Sequence, residues 1–364
     1  MKEKNVWKSS FIFAGAFVSM CVGASFGTGQ ELLQFFASYG VFGALGAILA
    51  VLASAALLFV GIHDARKYKI TSGEKLFIHY GGNIIGRILY WFTILSMLLS
   101  ASLLLSGAGT TMNLYFGVPP FIGSLLVAVF VTVSVLLGLN RLVDILGRLA
   151  VLIILFMVVV SLISILHPVD GFTAGSALAL ADTEVYRPAG NWLMSGFMYF
   201  TWCIIIFAAY ATNLASQTTE SVTVQNRGLI LGHVGFAACA SFPTLAIVAN
   251  YSVAGSSAIP NIALARMIHP VLGVFFSIVV IICIYTTICP YLWTVAFSVA
   301  KTEDCKRYKV VSVVCIIIGL LGSFMGSFQQ IVSVVTGLSA RVGYVYLACM
   351  IFTKLFRKIP VSAD

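Results

Sequence analysis

The chain has 364 residues, of which 60% are hydrophobic and only 9% are charged, and its mean hydropathy is +1.04. This composition excludes a soluble globular domain, and it is typical of a polytopic membrane protein with little soluble mass. The net charge of +9 does not indicate nucleic-acid binding, because the basic residues follow a membrane pattern described below. The eight cysteines lie mostly in apolar segments without metal-ligand spacing, so we expect free thiols and no zinc site.

The first apolar segment, residues 8–38, contains a glycine-rich stretch from Gly23 to Gly29. Glycine is a weak helix former, so three glycines within this stretch predict an unwound turn inside the membrane. Thr28 and Glu31 have the spacing of a capping box, which predicts that the helix restarts there. Irregular backbone at such depth persists only where protein or a watery cavity satisfies it, and transporters often bind solutes at such breaks.

Nine further apolar segments follow, and each is about 20 residues or longer, the length that a bilayer requires. They lie near residues 41–63, 83–115, 120–139, 142–166, 192–222, 228–252, 270–300, 309–327 and 329–356. Most basic residues between segments fall on one side if the N-terminus is cytoplasmic, and the opposite loops hold only Arg187 and Arg266. The positive-inside rule therefore predicts ten transmembrane helices, an inner (plasma) membrane location and two cytoplasmic termini.

The ten segments divide into two halves of five. In the sixth segment, the run Ala209–Asn213 predicts a second interruption, although an intact polar helix end is the alternative because the run has no glycine. Two interrupted helices in corresponding positions are typical of an inverted-repeat transporter. We therefore predict a first repeat, an extracellular connection, a second inverted repeat and a cytoplasmic tail at 1–166, 167–190, 191–358 and 359–364. A second connection, at 253–269, is predicted to form a short helix over the pore.

The backbone of the first break has two predicted roles. The N–H groups of residues 25–29 lie at the positive end of the outer half-helix, which favours a bound carboxylate. The carbonyls of Cys21, Val22 and Ala24 face the other way and suit a small cation. The alternative is a glycine-rich helix-packing face, which is common in membranes.

Two lone charges lie inside predicted spans. Glu31 follows the break by one turn, and we expect it to bind a proton, face a cationic part of the substrate or close a gate. Its simpler alternative is a local role as the helix cap. Arg341 lies near the middle of the tenth segment, which contains no acid. We therefore hypothesise that Glu31 and Arg341 pair across an outer gate.

Polar side chains also form stripes on two other segments. Ser102, Ser106 and Thr110 share one face of the third segment, where they predict either pore lining or ordinary Ser/Thr contacts between helices. In the eighth segment Pro290 cannot donate a hydrogen bond, so the carbonyl of Thr286 is expected to be free beside the Thr287 hydroxyl. Such oxygens suit Na⁺, and a simple proline kink is the alternative.

Aromatic residues offer an apolar wall for a solute. Phe26, Trp202, Tyr210 and Trp293 lie in the broken or polar segments and are candidates for this wall. Aromatic residues are abundant in this chain, so packing in the core is the alternative for each of them.

These motifs resemble the YkvI-like family of amino acid permeases. The resemblance rests on Gly23-Ala-Ser-Phe-Gly-Thr-Gly-Gln-Glu-Leu-Leu-Gln-Phe-Phe36, and on Ser106-Gly-Ala-Gly-Thr110 before Phe116-Gly-Val-Pro119. That family is similar to the amino acid–polyamine–organocation superfamily, which implies a LeuT-type five-plus-five inverted repeat with helices one and six broken. The resemblance also implies a sodium site between carbonyls near Val22 and Ala24 and the Thr286–Thr287 pair. Some relatives close the outer gate with a base on helix one and an acid on helix ten, whereas here the signs are reversed.

The sequence therefore predicts an ion-coupled secondary transporter of a small zwitterionic or amine-bearing solute, above all an amino acid, working by alternating access. The alternatives are a non-transporting sensor of the same fold and a transporter of a cationic amine with Glu31 as counter-ion. No enzymatic motif is visible. We expect no cofactor apart from Na⁺ or H⁺ as coupling ion, and a lipid bilayer and a small solute as partners. The predicted substrate-binding residues are Gly23, Ser25, Phe26, Gly27, Thr28, Ser106, Thr110, Trp202, Tyr210 and Asn213.

Overall fold

The computed structural model describes residues 3–218, 220–324 and 328–356, and within them the side chains other than those of 3–5, 24–25 and 328–334. All regular structure in these ranges is helical, with a short 3₁₀ turn at Ala37–Tyr39 and a π-helical turn at Gly82–Gly86. The α-helices in chain order are α1 Glu3–Cys21, α2 Ala24–Thr28, α3 Gln30–Phe35, α4 Val41–Lys67, α5 Gly73–Gly81, α6 Arg87–Phe116, α7 Pro120–Leu136, α8 Leu139–Leu166, α9 Gly171–Ala181, α10 Trp192–Gln217, α11 Val222–Ala249, α12 Tyr251–Ala254, α13 Pro260–Ile268, α14 Pro270–Ala300, α15 Lys306–Gly322 and α16 Phe328–Phe356.

Each of the ten predicted apolar segments coincides with a helix. Seven helical stretches in the described part of the chain are long and apolar enough to cross a membrane. The first, fourth and ninth segments form shorter helices, because α1 ends at the break and α7 and α15 each have 17 residues. The chain is therefore an all-α, multi-pass membrane protein.

The helices pack in two related sets. The first span, α1, packs mainly against α8 and α11, which are the fifth and seventh spans. The sixth span, α10, packs mainly against α16 and α4, which are the tenth and second spans. If five is added to or subtracted from each span number, the contacts of the first span become the contacts of the sixth span. The third and eighth spans, α6 and α14, are such a pair and pack against each other. This correspondence is the contact pattern of a five-plus-five inverted repeat.

The sixth span is continuous, so the predicted interruption at Ala209–Asn213 was wrong. Its polar residues are used without breaking the helix. Thr212 donates its hydroxyl hydrogen back to the carbonyl of Ala208 at 2.8 Å. The side chain of Asn213 leaves the helix and accepts a hydrogen bond from the N–H of Gly73 at 2.8 Å. The alternative, an intact polar helix end, is confirmed, because without glycine or proline the run keeps its helical backbone.

Both described chain ends lie on one side of the bundle, here named the terminal side. There Lys354, close to the end of α16, forms a 2.6 Å ion pair with Asp64 near the end of α4. Arg66 donates to the side chains of Gln225 and Asn226, at the start of α11, at 2.7 Å each. The opposite side, named the far side, carries the connections that contain α9 and α13. The short helix predicted for 253–269 is confirmed as α13.

Candidate functional site

The first span is interrupted, as predicted, but its irregular backbone is shorter than expected. Helix α1 ends at Cys21, and Gly23 then takes an extended conformation with ψ −176°. Residues 24–28 form a single helical turn rather than an unwound loop, and Gly29 follows with φ +90°. This φ requires glycine, because a Cβ there would be strained and would lie 3.0 Å from Asn261 and Pro260. Gly29 is the N-cap of α3, so the capping box predicted for Thr28 was wrong.

The break is held by Asn261, a residue of α13 that the sequence analysis missed. Its Nδ2 donates to the carbonyls of Gly27 at 3.0 Å and Phe26 at 3.3 Å. Within the turn, the N–H of Gly27 binds the carbonyl of Gly23 at 2.6 Å, and that of Gly29 binds the carbonyl of Phe26. These donors are therefore already used, which weakens the prediction that this backbone holds a carboxylate. One sequence feature could have indicated this role of Asn261: it is a polar residue directly after Pro260, at the start of a short helix.

Three oxygen atoms meet where α1 ends against the middle of α14. The hydroxyl of Thr287 donates to the carbonyl of Ser19 at 2.7 Å and contacts that of Val22 at 3.3 Å. One residue earlier, the hydroxyl of Thr286 lies 3.1 Å from the carbonyl of Cys283. Both threonine side chains are at most 1% exposed. Of the predicted ion-binding residues, Val22 and Thr287 are in contact. The other carbonyl that Thr287 contacts is that of Ser19, not that of Ala24, and Thr286 contacts Cys283 within its own helix.

The Ser19 partner follows from helix geometry. Ser19 and Val22 are three residues apart, so their carbonyls project from the same side of the last turn of α1. The C-terminal carbonyls of a helix have no intrahelical partner and carry its partial negative charge. Close approach of α14 is possible because Gly23 has no side chain, since a Cβ there would lie 3.3 Å from the Thr287 Cγ2.

A small cavity lies beside these oxygens, between α1, α3, α6, α10, α14 and α16. Its volume is about 20 Å³, which is room for about one water molecule. Polar and charged groups mix with apolar ones in its wall, which is formed by Met20, Cys21, Gly23, Glu31, Ser100, Leu103, Leu104, Trp202, Thr287, Tyr291, Val335 and Thr336. Among the described residues of this wall, the charged one is Glu31, which is 3% exposed.

A second, larger space opens on the far side. This vestibule has a volume of about 540 Å³ and is lined by Gln30, Leu33, Gln34, Asp182, Glu184, Val185, Tyr186, Gly255, Ser256 and Ser257. Helix α3 lies between the two spaces, since Gln30 and Gln34 line the vestibule and Glu31 lines the cavity. Gln30 ties this helix to the connection above it through hydrogen bonds to the carbonyls of Ser257 and Ala258.

On the terminal side the cavity is closed by several layers of side chains. The hydroxyl of Tyr210 donates to the carbonyl of Ala16 at 3.2 Å, and the Tyr210 ring packs edge-on against Trp293. Deeper towards the terminal side, Trp293 donates its Nε1 hydrogen to Glu303 at 2.6 Å. The short helix α3 therefore lies between the cavity and the far side. The layers of side chains around Tyr210 and Trp293 lie between the cavity and the terminal side, and we name them the terminal-side plug.

The structure places several predicted substrate residues away from the cavity. Gly23 and Trp202 line it, as predicted. Phe26 is fully buried against Phe236, while Tyr210 and Asn213 belong to the terminal-side plug. Thr28 is buried and its hydroxyl accepts a hydrogen bond from the N–H of Gln30, while Gly27 packs on Cys283. The Ser25 side chain lies outside the described residues.

Ser106 and Thr110 of the third span were predicted to bind the substrate, but they do not line the cavity. The cavity face of α6 carries Ser100, Leu103 and Leu104, and neither Ser106 nor Thr110 belongs to it. Ser102 instead packs against α15, where a Cβ on Gly322 would lie 2.6 Å from the Ser102 hydroxyl. The alternative of contacts between helices therefore describes Ser102 better than pore lining does.

Glu31 and Arg341 do not pair in this structure. Arg341 is exposed and shares the outward face of α16 with Leu338 and Val345. The inward face of the same helix carries Thr336, which lines the cavity together with Glu31. Among the described side chains, the ion pairs are Lys301–Glu74 and Lys354–Asp64. The sequence placed both charges in predicted spans. It could not show that Arg341 lies on the face of α16 that points away from the cavity.

This architecture is shared with solved membrane transporters. The chain is similar to a Na⁺-coupled sialic acid symporter in its substrate-bound outward-open state, with a TM-score of 0.66, 12% identity, and coverage of 96% of this chain and 90% of that one. It is similar to MhsT in complex with L-phenylalanine, with a TM-score of 0.65, 15% identity and coverage of 95% and 88%. Mhp1, a nucleobase-cation-symport-1 family transporter, gives a TM-score of 0.60, 15% identity and coverage of 96% and 78%. The protein therefore has the LeuT-type fold.

The chain is also similar in sequence to a bacterial membrane protein. It is 24% identical over 256 residues to the uncharacterized membrane protein YkvI of Bacillus subtilis strain 168, covering 69% of this chain and 67% of that protein. No protein-family model matches the chain. The sequence relative thus agrees with the resemblance drawn from the glycine-rich motif, and the fold rests on the structural neighbours.

Proposed function

We propose that this protein is a Na⁺-coupled secondary transporter of a small, amine-bearing solute. The observation that carries the proposal is the contact of the Thr287 hydroxyl with the carbonyls of Ser19 and Val22 at the broken end of α1. Broken helices whose free carbonyls meet side-chain oxygens are typical cation sites of transporters with inverted repeats. Two of the three named structural neighbours are described as cation-coupled transporters, which agrees with this assignment.

The oxygens at this junction fit a small cation. Two carbonyls and the Thr287 hydroxyl meet at the junction, and the last turn of α1 adds its partial negative charge. The Thr286 hydroxyl is the next residue of α14 and contacts the carbonyl of Cys283. The Thr287 hydroxyl now donates its hydrogen to the carbonyls, so in the ion-bound state it would turn its lone pair towards the cation. Na⁺ would then replace a direct hydrogen bond between α1 and α14 and link the two helices through itself.

The cavity supports an amine as the part of the solute that is recognised. Glu31 is the only charged residue among the described residues of its wall, and Asp182 and Glu184 line the vestibule above it. No lysine, arginine or histidine belongs to the described lining of either space, although Arg187 lies beside Asp182. Carboxylates that line a path raise the local concentration of cations and favour a cationic group at its end.

Trp202 offers a partner for a second polar group of the solute. Its indole N–H is buried and has no acceptor among the described atoms. A zwitterion could therefore place its ammonium near Glu31 and its carboxylate near Trp202, while a simple amine would use Glu31 and the aromatic faces of Trp202 and Tyr291. Amino acids satisfy the first arrangement. A cationic amine is the second candidate, and the acidic lining of both spaces favours it.

The unequal closure of the two sides supports alternating access. Helix α3 has six residues and separates the cavity from the vestibule, so a small outward movement of α3 and α13 would open the far side. Opening the terminal side requires separation of Tyr210 from Ala16 and of Asn213 from Gly73. With the basic loops placed in the cytoplasm, the far side is extracellular and the solute enters from outside.

The test is uptake by the purified protein in proteoliposomes. Panels of radiolabelled amino acids, primary amines and quaternary amines are offered with an inward Na⁺ gradient, and then with K⁺ in place of Na⁺. We expect uptake that depends on Na⁺ and on an amine group, and that falls at least tenfold in Glu31→Gln. Uptake of amines that is equally fast in K⁺ would refute the coupling ion. Ligand-induced stabilisation without any uptake would instead support a sensor of the same fold.

A further inference from the structure

An apolar groove, here named the tail groove, runs along the membrane-facing surface near the middle of the bundle. Three helices form it: α1 contributes Phe11 and Val18, α8 contributes Val151 and Leu155, and α11 contributes Leu231 and Ala238. Its volume is about 440 Å³, and all of its lining residues are apolar. It lies on the back of α1, whose front carries the cavity residues Met20 and Cys21.

Each of the three helices carries an interfacial or basic residue one turn below the groove, on the same face. Trp7 precedes Phe11 by four residues, Arg148 precedes Val151 by three, and Arg227 precedes Leu231 by four. Residues three or four apart in a helix lie above one another. These side chains therefore form the mouth of the groove on the terminal side, and we name them the basic mouth, together with the exposed Lys8 next to Trp7.

The basic mouth has cationic charge available. The Arg227 guanidinium lies 4.9 Å from the centre of the Trp7 ring, which fixes its position. Arg148 is exposed, and Asp144 lies one turn farther from the groove. Neither arginine belongs to the ion pairs of the described chain, which are Lys301–Glu74 and Lys354–Asp64. Planar guanidinium groups bind phosphate oxygens in pairs, and tryptophan is enriched at the membrane interface.

We propose that the tail groove and the basic mouth together bind one anionic phospholipid from the leaflet on the terminal side. An acyl chain would fill the groove along the back of α1, and its phosphate would lie between Arg148 and Arg227. The apolar groove alone would not select a lipid, because any acyl chain is as apolar as its lining. Selection comes from the mouth, where each basic side chain near an anionic headgroup contributes roughly fivefold in affinity. Arg148, Arg227 and Lys8 together would give about a hundredfold preference over a zwitterionic lipid.

The bound lipid would stabilise the position of α1 that is seen here. Helix α1 crosses α8 where Gly15 meets Gly147, since a Cβ on Gly15 would lie 2.4 Å from the Gly147 carbonyl oxygen. Glycine contacts of this kind hold helices by close packing without side-chain interlocking. A lipid tail wedged against both helices and α11 adds contact area on the side of α1 that faces away from the cavity.

The experiment measures thermal unfolding of the full chain in neutral detergent, titrated with phosphatidylglycerol or with phosphatidylcholine of the same acyl chains. We expect phosphatidylglycerol to raise the melting temperature at a concentration about 100-fold lower than phosphatidylcholine does. The double variant Arg148→Gln/Arg227→Gln should lose most of this difference. Its matched control, Arg307→Gln/Lys309→Gln, removes two exposed charges from α15 on the same side of the membrane and should keep the full difference.

A second measurement keeps the proposal testable if the double variant folds poorly. Ala238→Phe leaves every charge in place and fills the groove, so it should abolish the retention of one phosphatidylglycerol seen by native mass spectrometry in an equimolar lipid mixture. The proposal is overturned if wild-type protein responds equally to both lipids. It is also overturned if the α15 control loses the preference as fully as the double variant, because general surface charge would then explain the response. None of these measurements requires transport, so their outcome is independent of the proposed function.

Discussion

Replacement of Thr287 by valine removes the hydroxyl at the junction of α1 and α14 while keeping the shape of the side chain. The carbonyls of Ser19 and Val22 remain, so the junction keeps two of its three oxygens. An interaction between a hydrogen-bonding group and a charged partner contributes about 1.5–3 kcal/mol when buried. The Kd for Na⁺ should therefore rise by about 10- to 150-fold.

The assay is the Na⁺ concentration that gives half of the maximal rise in melting temperature, with choline chloride added to keep ionic strength constant. Thr287→Val also removes a direct hydrogen bond between α1 and α14, so its melting temperature without Na⁺ should fall as well. The half-maximal concentration, not the melting temperature, is therefore the quantity to compare.

Thr294→Val is the matched control for this substitution. Thr294 lies on the same helix, is 0% exposed and donates its hydroxyl hydrogen to the carbonyl of Pro290 within α14 at 2.7 Å. It should lose some stability and respond to Na⁺ as the wild type does. If Thr287→Val also responds at the wild-type concentration, Na⁺ does not bind at this junction, and the coupling mechanism proposed here is wrong.

Three further predictions concern contacts at the break of the first span and on the terminal side. Asn261→Ala should destabilise the protein by about 1–3 kcal/mol, because the carbonyls of Phe26 and Gly27 lose their donor, and thermal unfolding should show it. Gly29→Ala should cost about 1–2 kcal/mol, since alanine must adopt φ +90°, and a variant as stable as wild type would contradict the left-handed turn. On the terminal side, contact with the Thr302 side chain and the N–H of Tyr308 lower the pKa of Cys305. Maleimide should therefore label Cys305 from the cytoplasm at pH values lower than those that an ordinary thiol requires. Cys305→Ser should abolish this labelling. Labelling from outside the cell would show that the terminal side is not cytoplasmic.

Hydrophobic length and glycine content were enough to predict the helical segments and the first break. A bilayer imposes a minimum length on every span, so ten apolar stretches appear directly in the sequence. Three glycines within one span leave little helix propensity, and the chain indeed leaves the helix at Gly23 and turns at Gly29. The sixth span shows the limit of this reasoning, because polar residues alone do not break a helix when each finds a partner, as Asn213 does with Gly73.

The sequence by itself determined that this is a multi-pass helical membrane protein with a broken first span, and it singled out Glu31, Trp202, Val22, Thr286 and Thr287. Only the tertiary structure decided which of these groups meet. Side-chain direction changes by about 100° with each helical residue, so the rotation of α6 and α16 about their axes decides what faces the cavity. That rotation turned Arg341 outward and Ser100 inward, while the packing of α1 against α14 brought the Ser19 carbonyl to Thr287. Both are fixed by the packing of the helices together, a property that no single segment of sequence contains.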